Sequence, residues 1–202
     1  MKKMLFVIVV AGLFALAGVD AAQAADGYKS FGVRIRAIYV APNESFDSRL
    51  NALDPQVGDN VVPELDLEYF FTRNFSAELV AAVTRHDIKL AGTFQGSTWL
   101  LPPTVTLKYH PFAGSTISPY VGVGLNLTLP FSAQLNGVND FKIDSSVGWA
   151  VQAGVDVPIT ENLYFNVDYK YVNLGTKATI GGVKYDLDLN PSLFGVGVGY
   201  RF

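Results

Sequence analysis

Residues 193–202 read LFGVGVGYRF. From Phe194 onward every second residue is large and apolar (Phe194, Val196, Val198, Tyr200, Phe202), and between them stand Gly195, Gly197, Gly199 and Arg201. A period of two belongs to an extended strand, whose successive side chains point to opposite faces. This strand therefore has one greasy face and one slim or charged face. In a soluble sheet the greasy face looks inward at a core. In a transmembrane barrel bulky residues face lipid, and small or polar ones face a narrow lumen. An aromatic residue at the very end of the greasy face favours the second arrangement, which requires the first strand to pair with this last one.

The other end of the chain agrees. Lys2 and Lys3 precede an apolar run over residues 4–19, and Ala22-Gln23-Ala24 offers a small-residue cleavage site. Residues 1–24 are expected to be a cleaved secretory signal peptide and residues 25–202 an outer-membrane β-barrel domain; the apolar run falls short of the roughly 20 residues a membrane helix needs. Cleavage removes two of the 15 bases and one of the 18 acids, leaving 13 against 17 and a net charge of −4. Such mild acidity gives no reason to expect a nucleic-acid partner. The sequence has no cysteine, which excludes disulfides, zinc–thiolate sites and thiol catalysis. Half of its residues are apolar, yet beyond the leader no run is long enough for a membrane helix, so the apolar content is spread along strands.

Taken in order, the alternation marks out eight strands. The first carries Phe31, Val33, Ile35, Ala37 and Tyr39 on one face and Arg34 and Arg36 on the other; residues 41–60, rich in Asn, Asp, Pro, Ser and Glu, read as a solvated loop. The second sets Leu65, Leu67, Tyr69 and Phe71 against Glu64, Asp66 and Glu68, and Thr72-Arg73-Asn74 turns tightly into the third. There Phe75, Ala77, Leu79, Ala81 and Val83 oppose Ser76, Glu78, Val80, Ala82, Thr84 and His86, and a second loop is expected around residues 87–97. The fourth strand sets Val105, Leu107 and Tyr109 against Thr104, Thr106, Lys108 and His110, followed by a turn over residues 111–118. The fifth carries Val121, Val123, Leu125, Leu127 and Leu129 opposite Gly122, Gly124, Asn126 and Thr128, and a third loop is expected over residues 132–144. Val147, Trp149 and Val151 open the greasy face of the sixth strand, opposite Ala150, Gln152 and Asp156, and residues 158–162 turn the chain. The seventh sets Phe165, Val167, Tyr169 and Tyr171 against Asn166, Asp168 and Lys170, and a fourth loop over residues 173–182 leads into the eighth.

Connections that alternate long and short are those of an up-and-down barrel with four extracellular loops and three short periplasmic turns. No Asp, Glu, Lys or Arg lies on the greasy face of the strands. Aromatic residues gather at both strand ends, Phe31, Tyr69, Phe71, Phe75, Tyr109, Tyr200 and Phe202 at one and Tyr39, Phe131, Tyr171 and Phe194 at the other, as two interfacial girdles would. The expected fold is all-β, an eight-stranded antiparallel transmembrane β-barrel. One irregularity needs repair: Lys184, Asp186 and Asp188 share the parity that faces lipid at Phe194, so a β-bulge is expected near Asn190-Pro191.

With both termini periplasmic, the inward residues sort by height. Arg34, Arg36, Asp66, Glu68, Glu78, Lys108, Asp156, Asp168, Lys170 and Arg201 fall in the periplasmic half. Charges of both signs inside an eight-stranded barrel must pair, since the interior is only wide enough for side chains, so these residues are expected to form an ionic plug. The outer half holds Ile38, Val40, Val80, Ala82, Leu100, Pro102, Pro130, Ala150 and Val172, an apolar cup suited to a small greasy molecule.

Several strings then resemble one family in order and spacing. Leu100-Leu101-Pro102-Pro103-Thr104, Pro119-Tyr120-Val121-Gly122-Val123-Gly124, Gly154-Val155-Asp156 and Gly199-Tyr200-Arg201-Phe202 look like the OmpW family of small outer-membrane barrels, as does Glu78-Leu79-Val80-Ala81-Ala82 followed by Arg85-His86. The resemblance covers the whole mature chain. It implies a monomeric barrel in the bacterial outer membrane with a hydrophobic channel that admits small hydrophobic compounds, and a closing strand whose Tyr200 and Phe202 are read by the barrel-assembly machinery. A channel tryptophan expected near Val147 is absent. Expected partners are thus outer-membrane lipid, a small hydrophobic ligand and the assembly machinery. Passive uptake is the leading function, with lateral exit where prolines interrupt the ladder at Pro102-Pro103 or Pro191; a non-transporting structural or adhesion barrel is the alternative. No enzyme is expected, because His86 at the rim and His110 at the periplasmic end stand too far apart to share a site. No cofactor or metal is expected either, the calcium-loop-like Asp186-Leu-Asp-Leu-Asn lacking the central glycine and closing glutamate.

Overall fold

The computed structural model describes residues 29–138 and 140–202; the expected signal peptide, residues 1–24, lies outside them. The strands are β1 (Phe31–Ala41), β2 (Ser45–Phe46), β3 (Pro55–Val57), β4 (Asn60–Phe70), β5 (Phe75–Ala82), β6 (Thr84–Leu90), β7 (Thr93–Leu101), β8 (Thr104–Tyr109), β9 (Ser118–Leu135), β10 (Lys142–Ile143), β11 (Ser146–Pro158), β12 (Leu163–Val172), β13 (Gly175–Ile180), β14 (Val183–Asp188) and β15 (Ser192–Arg201), with one 3-10 turn at Ser48–Leu53. Eight of them, β1, β4, β5, β8, β9, β11, β12 and β15, pair antiparallel in that cyclic order and close a barrel.

Closure falls on residues 193–202. β15 pairs with β1 from Arg201↔Gly32 to Ser192↔Ala41, and the Phe202 amide donates to the Phe31 carbonyl at 2.8 Å. The glycines on its inward face are there for room. A Cβ at Gly199 would stand 2.4 Å from Arg34 Cγ and 2.3 Å from Tyr164 Cζ, and one at Gly197 would meet Arg36 Cγ at 2.7 Å. A slim strand lets two arginines fill the lumen beside it.

Burial is inverted relative to a soluble protein. Ile35 and Leu125 are 61% and 67% exposed on the outer face, whereas Arg34 and Glu78 are fully buried inside. Val121 and Val196 also lie outward, which excludes a sandwich with those valines in its core. Rings pair at both barrel ends: Phe31 with Phe202, Tyr69 with Phe71 and Phe75 with Tyr109 below, Trp99 with Phe131, Trp149 with Tyr171 and Tyr169 with Phe194 above. These are the interfacial belts.

The outer connections depart from expectation. Residues 87–97 are not a loop: β6 and β7 form a hairpin closed by Ala91-Gly92, both at positive φ as a type I′ turn requires. Residues 173–182 are not a loop either, since β13 and β14 form a second hairpin through Gly181-Gly182. Lys184, Asp186 and Asp188 belong to β14, so no bulge is needed to explain their parity. Instead the chain breaks at residues 189–191, where Asn190 sits at φ 31° and its side-chain oxygen accepts from the Leu174 amide at 2.9 Å. β10, β13, β14 and β2 then form a separate four-stranded sheet over the barrel mouth. β9 also runs to Leu135, past the point at which the third loop was expected to begin.

Candidate functional site

The inward faces of the barrel strands converge on one buried ion network. Arg34, from β1, places Nε 2.7 Å from Asp66, reaches Glu68 at 3.0 Å and Asp156 at 3.6 Å, and also contacts Glu78. Arg36 lies 2.7 Å from Glu64, 3.0 Å from Asp66 and 3.3 Å from both Glu78 and Asp168. Lys108 Nζ bridges Glu68 and Glu78 at 3.0 and 2.9 Å, and Arg201 holds Asp156 at 2.7 Å. Lys170 completes the ring more loosely, 3.6 Å from Glu64 and 3.9 Å from Glu78. All ten residues assigned to the lower lumen are thus in one cluster. Because burial strips each ion of water, only this dense mutual pairing makes it tolerable.

Further members complete the network. Glu64 belongs to it, and His110 Nε2 lies 3.1 Å from Glu68. Tyr120 donates to Asp168 at 2.7 Å, Gln152 to Asp168 at 2.8 Å and to Glu78 at 3.1 Å, and Asn166 to Asp156 at 2.8 Å. The periplasmic end is capped by Phe70 and Tyr164, with the Arg201 guanidinium 4.4 and 4.8 Å from their ring centres. Parity points to Glu64, Gln152 and Asn166; Tyr120 is signalled only by its position two residues before Gly122 on the slim face. Ser76, His110 and Glu68 meet as well, but the Ser76 hydroxyl donates to Glu68 at 2.6 Å and the same His110 nitrogen faces both, so the serine proton is directed at the carboxylate and the imidazole does not stand in relay between them.

Above this network the lumen turns apolar. Ile38, Val40, Val80, Leu100, Ala150 and Val172 are buried, and Ala82 and Pro102 half-buried. A cavity of about 60 Å³ lies between Ile38, Val40, Val80, Ala82, Leu100, Pro102 and Val172, with Glu64, Lys170, Thr104 and Asn126 in its wall. Ala150 is not part of that wall; it packs with Val172 and Leu174 to one side. A larger cavity of about 290 Å³ adjoins it, the two sharing Val40, His86, Leu100, Leu174 and Pro191. Pro130 lines this upper cavity, together with Phe46, Leu50, Val57, Leu135, Phe141, Ile143 and Ile180 from the outer connections. Pro130 belongs to the apolar cup expected from the sequence, whereas the others lie in stretches whose composition reads as loop, so strand alternation does not reveal them.

His86, placed at the rim by the sequence, is buried there. Its Nε2 lies 3.1 Å from Thr84 Oγ1 and its Nδ1 3.4 Å from the Gly58 carbonyl oxygen. It stands on β6, whose outer face carries Arg85 and Asp87 paired in solvent, above the hydrocarbon. Burial pushes its pKa below the usual histidine value, against weaker upward pulls from the Gly58 carbonyl and Asp87. The first connection is pinned over the cavity: Arg49 donates to Asp47 at 2.6 Å and to the Lys184 carbonyl at 3.0 Å, and stacks 4.8 Å from the Tyr185 ring centre. Its hydrogen bonds hold the Asp47 carboxyl well below the usual carboxylate range. Among the described residues no cluster of His, Asp or Glu has metal-binding geometry.

A closed eight-stranded barrel with this lumen has close counterparts. Residues 28–202 match the family model described as OmpW family. The chain belongs to the OmpW family. Its sequence is 35% identical to outer membrane protein W of Vibrio cholerae serotype O1 over 96% of this chain and 98% of that one. The crystal structure of the outer membrane protein OprG from Pseudomonas aeruginosa superposes with a TM-score of 0.80 at 28% identity, covering 86% of this chain and 96% of the other. The solution structure of the Escherichia coli outer membrane protein W gives a TM-score of 0.61 at 30% identity over 86% and 98%. As a member of this family the protein resides in the bacterial outer membrane, its greasy face in contact with lipid.

Proposed function

We propose that the barrel takes up small hydrophobic molecules passively from outside the cell, through the apolar vestibule and no farther down the axis than the ion network, which acts as a plug. The carrying observation is the pair of adjoining apolar cavities directly above a buried, mutually paired set of charges. A greasy solute gains by leaving water for the vestibule and loses by entering the network, where it would separate paired ions.

Exit is then sideways into the membrane. The ladder that runs from β5–β8 into β6–β7 supports this route: pairing stops at Val80↔Thr104 and resumes only at Thr84↔Leu100. Pro102 and Pro103 fill the gap without amide donors, and Ala82 and Pro102 line the lower cavity there. Pro191 is a weaker candidate, because the Val172 amide donates to its carbonyl at 3.1 Å and carries the ladder past it. In the same reading residues 1–24 are a cleaved export signal, the 25–202 barrel works as a monomer, and the assembly machinery reads Tyr200 and Phe202. Replacing Pro102 and Pro103 together by Val and Thr restores donors to the ladder and should slow uptake of an alkane into proteoliposomes; unchanged uptake rejects the lateral exit.

The adhesion reading draws on the protruding β6–β7 and β13–β14 hairpins. It requires no ligand in the vestibule. Introducing Asp at Phe141 separates the two, since a charge in the cavity should abolish alkane uptake and leave a purely structural barrel unaffected.

A further inference from the structure

The lower cavity has apolar walls but one free donor. Asn126 Nδ2 donates to Thr104 Oγ1 at 2.8 Å, and Thr104 Oγ1 donates to the Pro102 carbonyl at 3.2 Å. His86 is engaged with Thr84. Lys170 differs. Its side chain is 97% buried and lines the cavity, yet its ammonium makes no hydrogen bond, its nearest carboxylate oxygens standing 3.6 and 3.9 Å away. An ammonium carries three donors, and a buried one without an acceptor at hydrogen-bond distance lacks part of what water gave it.

We propose that the lower cavity is a head-group site for neutral single-chain amphiphiles, primary alcohols above all, that bind head-down with the oxygen on Lys170 Nζ and the alkyl chain in the upper cavity. The idea rests on the uptake reading and narrows its substrate class. The sizes fit, a small pocket of about 60 Å³ with Lys170 and Glu64 in its wall adjoining an apolar one of about 290 Å³. Charge selects the head group. The buried network holds six acidic side chains (Glu64, Asp66, Glu68, Glu78, Asp156, Asp168) against five basic ones (Arg34, Arg36, Lys108, Lys170, Arg201), with His110 beside Glu68. A carboxylate head would deepen that acid excess in a low-dielectric interior, whereas a hydroxyl adds no charge. A hydroxyl can serve both groups in the wall: its oxygen accepts a hydrogen bond from Lys170 Nζ, and its own hydrogen is offered to Glu64, which lines the same cavity. An alkane fills the upper cavity equally well but leaves Lys170 as it was.

The test compares octane, 1-octanol and octanoate binding to the full-length barrel in nanodiscs, for the native protein and Lys170→Met. The native protein should favour 1-octanol over octane, and Lys170→Met should lower that ratio about tenfold with octane affinity retained, as expected for the loss of a hydrogen bond to a charged donor. Octanoate at pH 8 should bind no better than octane. An unchanged ratio in Lys170→Met, or octanoate outranking 1-octanol, overturns the head-group site; failure of octane to bind the native protein overturns the uptake reading itself. Should Lys170→Met not fold, the 13Cε resonance of Lys170 in the native barrel decides, moving with 1-octanol and not with octane if the site exists and unmoved by both if it does not.

Discussion

The lower and upper halves of the lumen are built from the same strands and differ in everything else. β1 presents Arg34, Arg36, Ile38 and Val40 inward in that order, and its partner β4 presents Asp66, Glu64 and Val62 opposite the first three. The change from charge to hydrocarbon occurs on the same rung of both strands, between Arg36↔Glu64 and Ile38↔Val62. β5 changes between Glu78 and Val80. Val80 stands opposite Asp66, so the boundary steps from strand to strand around the lumen; what lies below it is held by ion pairing, what lies above it by apolar packing and by the outer hairpins. The two halves should accordingly respond differently to the same kind of damage.

The largest expected effect is in the lower half. Replacing Arg34 by Met leaves Asp66, Glu68 and Glu78 short of a shared cation, and should lower stability in urea by about 3–5 kcal/mol. A mutant as stable as the native barrel would mean that the network is wetter than its burial indicates. On the outer wall, Val123→Arg puts a charge into lipid and should cost about 2–4 kcal/mol if that residue lies near the bilayer midplane; refolding titrations into bilayers measure it. In the upper half, Val40→Ala should remove only about 0.5–1.5 kcal/mol, because the adjoining cavity already leaves part of that side chain without partners. The same variant should alter alkane uptake, which Arg34→Met need not do once folded.

The smallest effect concerns His86. A histidine whose folded pKa lies below its unfolded value stabilises the fold while neutral. As pH falls through the ordinary value of 6.5 toward the lower folded value, the unfolded chain takes the proton first and stability is lost. Protonation also places a charge in the wall of both cavities. Apolar ligand binding should therefore hold from neutral pH upward and weaken only as pH falls below the ordinary histidine value of 6.5, and His86→Phe should remove that dependence. Binding by the native protein that stays flat to pH 4.5 would place His86 outside the ligand's surroundings.

How legible these halves were in the sequence follows the same division. The barrel was readable because lipid and lumen impose a strict alternation, so Phe194–Phe202 and its counterparts declare their faces residue by residue. The lower lumen was readable for a related reason, since a charge on a membrane-spanning strand has only the interior to go to. Tyr120 escaped because an aromatic on a strand is ordinarily read as lipid-facing, and only the room left by Gly154, where an added Cβ would run into the Tyr120 ring, shows that it turns inward. The upper vestibule was largely illegible. Outside the bilayer the alternation weakens, and Asp87, Ser97, Lys184 and Asp186 make hairpin strands look like loops. The turns did leave a trace in Ala91-Gly92 and Gly181-Gly182, two-residue links whose positive φ values suit a hairpin and not a long excursion. The burial of His86 was illegible for want of that hairpin.

Electrical recording across a planar bilayer tests the sealed floor most directly. With the network intact the barrel should pass no steady ohmic current, with or without octane present. A conductance that is ohmic and rises in proportion to salt concentration would mean that water and ions run past Arg34, Glu68 and Glu78, and the division of the lumen into plug and vestibule would be wrong.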